Sequence, residues 1–183
     1  MKTAADIESV RWCGCCVAAL VLMVPVLPHR AAAQPLADTR PLPKHVTPEA
    51  KKAIEDGLAF LVRTQSRDGA WRNRGSYGRY PVAMTSLAGL ALLMDGNTTT
   101  QGRYAANVDR AARFLAASCT DEGLFTRADE DERQPMHGHG FALLFLGELY
   151  GMTESPQRQR ELHDVLTRGI ELTGRSQSRL GGW

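Results

Sequence analysis

The chain has little excess charge, almost no cysteine outside its first sixteen residues, and an apolar run too short to cross a membrane. Its 22 Lys+Arg stand against 20 Asp+Glu in 183 residues, a formal net charge of +2. A surface without a marked basic excess is a poor match to a phosphate backbone, so no nucleic-acid partner is expected. Three of the four cysteines, Cys13, Cys15 and Cys16, lie near the start, which leaves Cys119 alone in the rest of the chain. A single thiol builds no disulfide framework, and stability has to come from a packed core. The uncharged apolar run Val17 to Leu27 has eleven residues. As a helix it spans ~16 Å, about half of a ~30 Å hydrocarbon layer, and Pro25 and Pro28 interrupt it further.

What is present divides into three segments. Residues 1–33 read as a signal peptide: a short polar start, the apolar run, then Ala31, Ala32 and Ala33 as small residues at a cleavage site. Export, periplasmic or secreted, with cleavage near Ala33 is the expectation. An uncleaved segment would instead anchor the chain, and this is the only membrane contact expected. The Cys-x-Cys-Cys cluster would leave with the signal. Residues 34–47, with Pro35, Pro41 and Pro43 and no apolar period, read as an extended linker. Residues 48–183 are the expected domain, 43% of the whole sequence being hydrophobic and 23% charged, as in globular proteins.

Thr47 as N-cap, Pro48 at the first helical position and Glu49 near the dipole's positive end predict a helix start there. Ala50, Ala53, Ile54, Gly57, Leu58, Leu61 and Val62 then repeat at three-and-four spacing as far as about Thr64. Val82 to Met94 is apolar nearly all round, which predicts burial on most sides. Tyr104 to Ser118 is amphipathic, His139 to Tyr150 again apolar all round, and about Arg158 to Gly174 again amphipathic. With no period-two runs, the expected fold class is all-α.

The ends of the three amphipathic helices share one pattern. Gly57, Phe60, Leu61, Gln65, Gly69 and Trp71 correspond to Ala111, Phe114, Leu115, Cys119, Gly123 and Phe125, and to Gly169, Leu172, Thr173, Gln177, Gly181 and Trp183. The interval from Gly69 to Gly123 is nearly the same as that from Gly123 to Gly181. The first of these intervals also relates Ala88 to Ala142 inside the two apolar helices. Self-similarity at a near-constant period of this size marks a helical-pair repeat.

This pattern resembles the QW motif of the prenyltransferase and squalene-cyclase (terpenoid cyclase) repeat family, over about residues 47–183. Copy one departs from it with Asp56 in a basic position, copy two with Cys119 for Gln and Phe125 for Trp, copy three with Thr173 for an aliphatic residue. The resemblance implies an α/α toroid whose inner helices line a central cavity, with the motif acting as a structural clamp. About five helices make an open arc, so either a fragment of a larger toroid or a ring completed by self-association is implied. It also implies an apolar ligand or a protein partner.

The chemistry is sparse. The Asp-x-Asp-Asp acid of squalene-cyclase-like enzymes is missing, as are the Cys-Gly-Glu-Gln thioester sequence and a placeable Asp, Cys and His zinc triad, so no metal and no cofactor are expected. The acidic run Asp129, Glu130, Asp131 and Glu132 reads as a solvated loop, and so does the stretch of Arg67, Arg72, Arg74 and Arg79 around Trp71, Tyr77 and Tyr80. His137, His139 and Glu148 are the catalytic candidates: two imidazoles at a helix mouth with a carboxylate three turns on. The preferred expectation is a non-catalytic binding or structural module. The alternative is a terpene-cyclase-like or prenyltransferase-like enzyme acting on an apolar isoprenoid.

Overall fold

Helix α1, Pro48–Thr64, starts where a side chain can replace the missing intrahelical partner: the Thr47 hydroxyl accepts from the Ala50 N–H at 3.2 Å. Four more follow: α2 Pro81–Met94, α3 Ala105–Ala117, α4 Pro135–Gly151 and α5 Pro156–Ser176, with a single 3₁₀ turn at Ala128–Glu130. The computed structural model describes residues 45–75, 79–130 and 134–182, all in the unit that begins at Leu42. The expected signal peptide, the linker before His45, and Tyr77, Asp131, Glu132 and Trp183 lie outside the described residues. Among the described residues there is no strand, only one bridge between Cys119 and Phe125. The fold is all-α. Two starts differ from the periodicity. Helix α4 begins ahead of His139, at Pro135, because proline suits a first turn, and α5 begins at Pro156 behind a Ser155 cap.

Helices α2 and α4 pack most extensively against each other, α2 also against α3 and α4 against α5. Val82 and Leu92 of α2 and Ala142, Phe145, Leu146 and Leu149 of α4 are wholly buried there. Burial of each larger side chain contributes about 1.5–3 kcal/mol. The approach is close: a Cβ on Gly89 would stand 2.6 Å from the Phe145 ring. The amphipathic α3 turns Val108, Ala111, Ala112 and Leu115 into this core. Asn97, buried between α2 and α3, joins them by donating to the Leu92 carbonyl at 2.9 Å and accepting from the Tyr104 N–H at 2.9 Å.

The expected burial of the apolar helices differs between the two. Helix α2 is buried along most of its length, though Leu87 is 45% exposed, whereas α4 is more open, with Phe141 and Leu144 38% and 51% exposed. Helix α2 packs chiefly against α4 and α3, and α4 chiefly against α2 and α5, with lesser contact to α1 and α3 respectively, which among the described residues leaves part of each apolar helix open.

Candidate functional site

The motif after α1 is a hydrogen-bonded clamp. Gln65 stands just past the helix end, and its Nε2 donates to the Gly69 carbonyl at 2.9 Å and, across the gap, to the Asn107 carbonyl of α3 at 3.0 Å. Its Oε1 accepts from Asn107 Nδ2 and from the Arg110 guanidinium, both at 2.7 Å. One amide thus joins a turn to α3 with four bonds. Gly69, at φ 95°, has no room for a side chain, because a Cβ would stand 2.3 Å from the Arg110 carbonyl oxygen. Trp71 is 5% exposed; its indole N–H donates to the Leu61 carbonyl at 2.9 Å, and its backbone N–H donates to the Thr85 hydroxyl at 2.9 Å.

The second copy keeps the geometry with other chemistry. Gly123, at φ 97°, would place a Cβ 2.2 Å from the Arg168 carbonyl oxygen of α5. Cys119 replaces the glutamine, and its thiol stands 3.6 Å from the Thr120 carbonyl and 3.9 Å from that of Val165. A thiol is a weak donor. Arg168 makes the strong crossing bond in its place, from its guanidinium to the Thr120 carbonyl at 2.6 Å. Burial raises the Cys119 pKa, so the thiol is held in its unreactive form. Phe125, in the tryptophan position, is wholly buried.

The third copy has the same turn. Gln177 Nε2 donates to the Gly181 carbonyl at 2.9 Å, and Ser178 N–H to the Gly182 carbonyl at 2.8 Å, as Ser66 to Ala70 and Thr120 to Leu124 do at 2.9 Å. Gly181 has φ 83°, but the nearest neighbour of its Cβ position is Gln177 Nε2 itself, at 3.8 Å.

His139, a catalytic candidate, belongs to this clamp. It holds the place in α4 that Thr85 holds in α2, as far from Thr85 in sequence as Gly123 is from Gly69. Its Nδ1 accepts from the Phe125 N–H at 3.3 Å as Thr85 accepts from Trp71. An accepting Nδ1 puts the proton on Nε2, which meets the Thr173 hydroxyl at 2.9 Å. The ring is 1% exposed, and both nitrogens have partners. His137 and Glu148 are exposed instead. His137 and His139 line one cavity of about 380 Å³ together with Met136, Leu143 and Thr173, and Glu148 is not on its walls. No cluster of three His, Cys, Asp or Glu able to hold a metal occurs among the described residues.

Burial pushes the His139 pKa below the usual imidazole value. The folded form therefore takes up the proton less readily than the unfolded chain. The stabilisation is complete above the unfolded value near 6.5 and is lost as pH falls through it toward the folded value, at about 1.4 kcal/mol per unit of difference. Thermal unfolding followed from pH 8 to pH 5 should show this loss. His139→Thr, which restores the pairing seen at Thr85, should reduce it.

The Arg-rich stretch and the acidic run meet, contrary to the expectation that both are solvated loops. Arg72 Nη2 pairs with Asp68 at 2.6 Å and with Glu130 Oε1 at 2.7 Å, and the Glu130 side chain is only 10% exposed. The pairing holds the Glu130 carboxyl below the usual carboxylate range. Arg72 and Arg127 also stand over the Phe114 ring at 5.6 and 5.7 Å. This cluster fastens the 3₁₀ turn over α3. Arg74 and Arg79 remain exposed.

The remaining feature is the open apolar side of α2 and α4. Leu87 corresponds to Phe141, and Leu90 to Leu144, by the same offset that relates Ala88 to Ala142. Leu87 and Phe141 are both exposed, whereas Leu90 is half-buried against the core and its equivalent Leu144 is exposed. A groove of about 670 Å³ also lies between α1 and α2, with Ile54, Phe60, Leu61 and Met94 on its walls. No helix among the described residues is long and apolar enough to cross a membrane.

Comparison with protein-family models, with curated proteins and with solved structures finds no match for the chain.

Proposed function

We propose that the chain is a non-catalytic binding module of the squalene-cyclase and prenyltransferase repeat type, an arc of an α/α toroid that holds an apolar ligand against the open side of α2 and α4. The observation that carries this reading is the exposure of large apolar side chains on both apolar helices, Leu87 and Phe141 at equivalent positions and Leu144 one turn on in α4. Exposed apolar area concentrated on one side marks an interaction surface more often than a solvent face. The engagement of both His139 nitrogens in the clamp supports binding over catalysis. Equilibrium binding of squalene or a long-chain prenyl alcohol tests it. Leu144→Asp, a substitution at an exposed position, should weaken binding about tenfold, the equivalent of one apolar side chain's burial. Absence of binding by the parent chain, or equal binding by the variant, would count against it.

Export belongs to the same reading and rests on residues 1–33 alone. Material from the native host should begin at or near Gln34 on N-terminal sequencing. A soluble cytoplasmic product that keeps Met1 or Lys2 would contradict this.

A further inference from the structure

We propose that His139 is an acid-sensitive latch: a proton on its Nδ1 releases the turn Cys119 to Phe125 from α4 while the helices stay folded. The latch is one hydrogen bond whose acceptor can be taken away. In the first copy of the clamp the Trp71 N–H donates to the Thr85 hydroxyl at 2.9 Å, an acceptor that no ordinary change of pH removes. In the second copy the Phe125 N–H donates to His139 Nδ1 at 3.3 Å, and that lone pair is the basic site of the imidazole. Nε2 already directs its proton to the Thr173 hydroxyl, which in turn donates to the Gly169 carbonyl at 2.9 Å. The next proton therefore enters at Nδ1. There it sets one N–H against another, and the bond from the turn to α4 is lost.

Two departures from the repeat meet at this point. His139 stands where α2 has Thr85, and Thr173 stands where α3 has the wholly buried Leu115. Together they carry a chain of bonds from the turn through α4 to α5. The cavity that both residues line, with the exposed His137 also on its wall, is the way by which a proton reaches a ring that is itself only 1% exposed. No charge of the described residues stands against the ring to hold that proton. The turn presents the Phe125 ring, its centroid 5.6 Å away, and α5 presents the Gly169 carbonyl and the Thr173 hydroxyl. Helix α2 carries no charged side chain, and Asp121 and Glu122 of the turn and Glu171 and Arg175 of α5 are exposed. What stays closed is the other side of the turn. Arg168 holds it to α5 through the Thr120 carbonyl at 2.6 Å, and Gly123 sits against the Arg168 main chain. Neither contact involves an imidazole, so the turn stays on α5 and parts from α4.

The direction of the switch follows from burial, which holds the closed ring below the ordinary value near 6.5 and leaves the opened ring the better base. Opening should rise about tenfold per pH unit between that value and the folded one, then level off. Backbone hydrogen exchange of the full chain tests this by NMR from pH 8 to pH 5, at several low urea concentrations. Rates are taken relative to the unstructured chain, which removes the intrinsic dependence of exchange on pH. Protection of the Phe125 amide should fall about tenfold per pH unit below the ordinary imidazole value and should not respond to low urea, because a local opening exposes little surface. The Leu92 amide, in the buried centre of α2, reports unfolding of the whole chain and should respond to urea. His139→Thr should hold Phe125 protection level over the same range. Phe125 protection that is independent of pH overturns the proposal. So does a loss that urea deepens as steeply as at Leu92, or one that His139→Thr leaves in place. Should that variant not fold, the comparison of Phe125 with Leu92 in the parent chain decides. No ligand is added, so the result is separate from what the apolar side of α2 and α4 binds.

Discussion

Trp71→Ala is expected to lower the unfolding free energy by about 3–5 kcal/mol. The indole is buried between the end of α1 and the start of α2, where little main chain can collapse into the space it leaves. The hydrogen bond contributes little to that loss. Its acceptor, the Leu61 carbonyl, also receives the Gln65 N–H at 3.1 Å and the Thr64 hydroxyl at 3.1 Å, so no buried acceptor is left without a donor. Most of the cost is the cavity. Trp71→Phe should therefore be much milder, because Phe125 fills the same position in the second copy, wholly buried. Chemical denaturation measures both, and an unchanged midpoint for Trp71→Ala would mean that the indole is not packed between the helices.

Gly123→Ala should cost about 2–5 kcal/mol, the sum of two effects. An L residue in the left-handed region loses about 1–2 kcal/mol. The new methyl group would also stand 2.2 Å from the Arg168 carbonyl, a main-chain atom of α5 that cannot rotate away. The helix has to shift, and the crossing bond from Arg168 to Thr120 goes with it. Gly69→Ala should behave alike, with Arg110 as the obstacle. Gly181→Ala should cost only the conformational part, about 1–2 kcal/mol, because the nearest atom to its Cβ position is 3.8 Å away. The same substitution at three equivalent glycines, large twice and small once, separates steric contact from backbone preference.

Much of this arrangement is legible in the residue order, and what is not has identifiable causes. Helix positions follow from Thr47, the prolines and the apolar periods, because those act within one turn of the chain. The turn glycines follow from the repeat. His139 misleads, since an imidazole suggests chemistry. Its correspondence to Thr85 in the repeat is visible in the sequence, but threonine and histidine resemble each other only as acceptors for a backbone N–H. Arg168 replacing the glutamine's bond is invisible for a similar reason, as the substitution at Cys119 is compensated on another helix. The pairing of Arg72 with Glu130 joins residues far apart in the chain, and no local pattern reports it. Hydropathy identifies α2 and α4 as apolar all round without indicating that one side of each lacks a neighbour. That side carries the functional reading.

Whether the module binds without reacting is tested most directly by incubating the purified chain with squalene and with prenyl diphosphates and analysing the products by mass spectrometry. The expected result is unchanged substrate, retained by the parent chain and released by Leu144→Asp. The contradicting result is a cyclised or prenyl-transferred product whose formation stops on Glu148→Gln or His137→Ala, since both residues are exposed and outside the clamp, and their loss would remove activity without unfolding the chain.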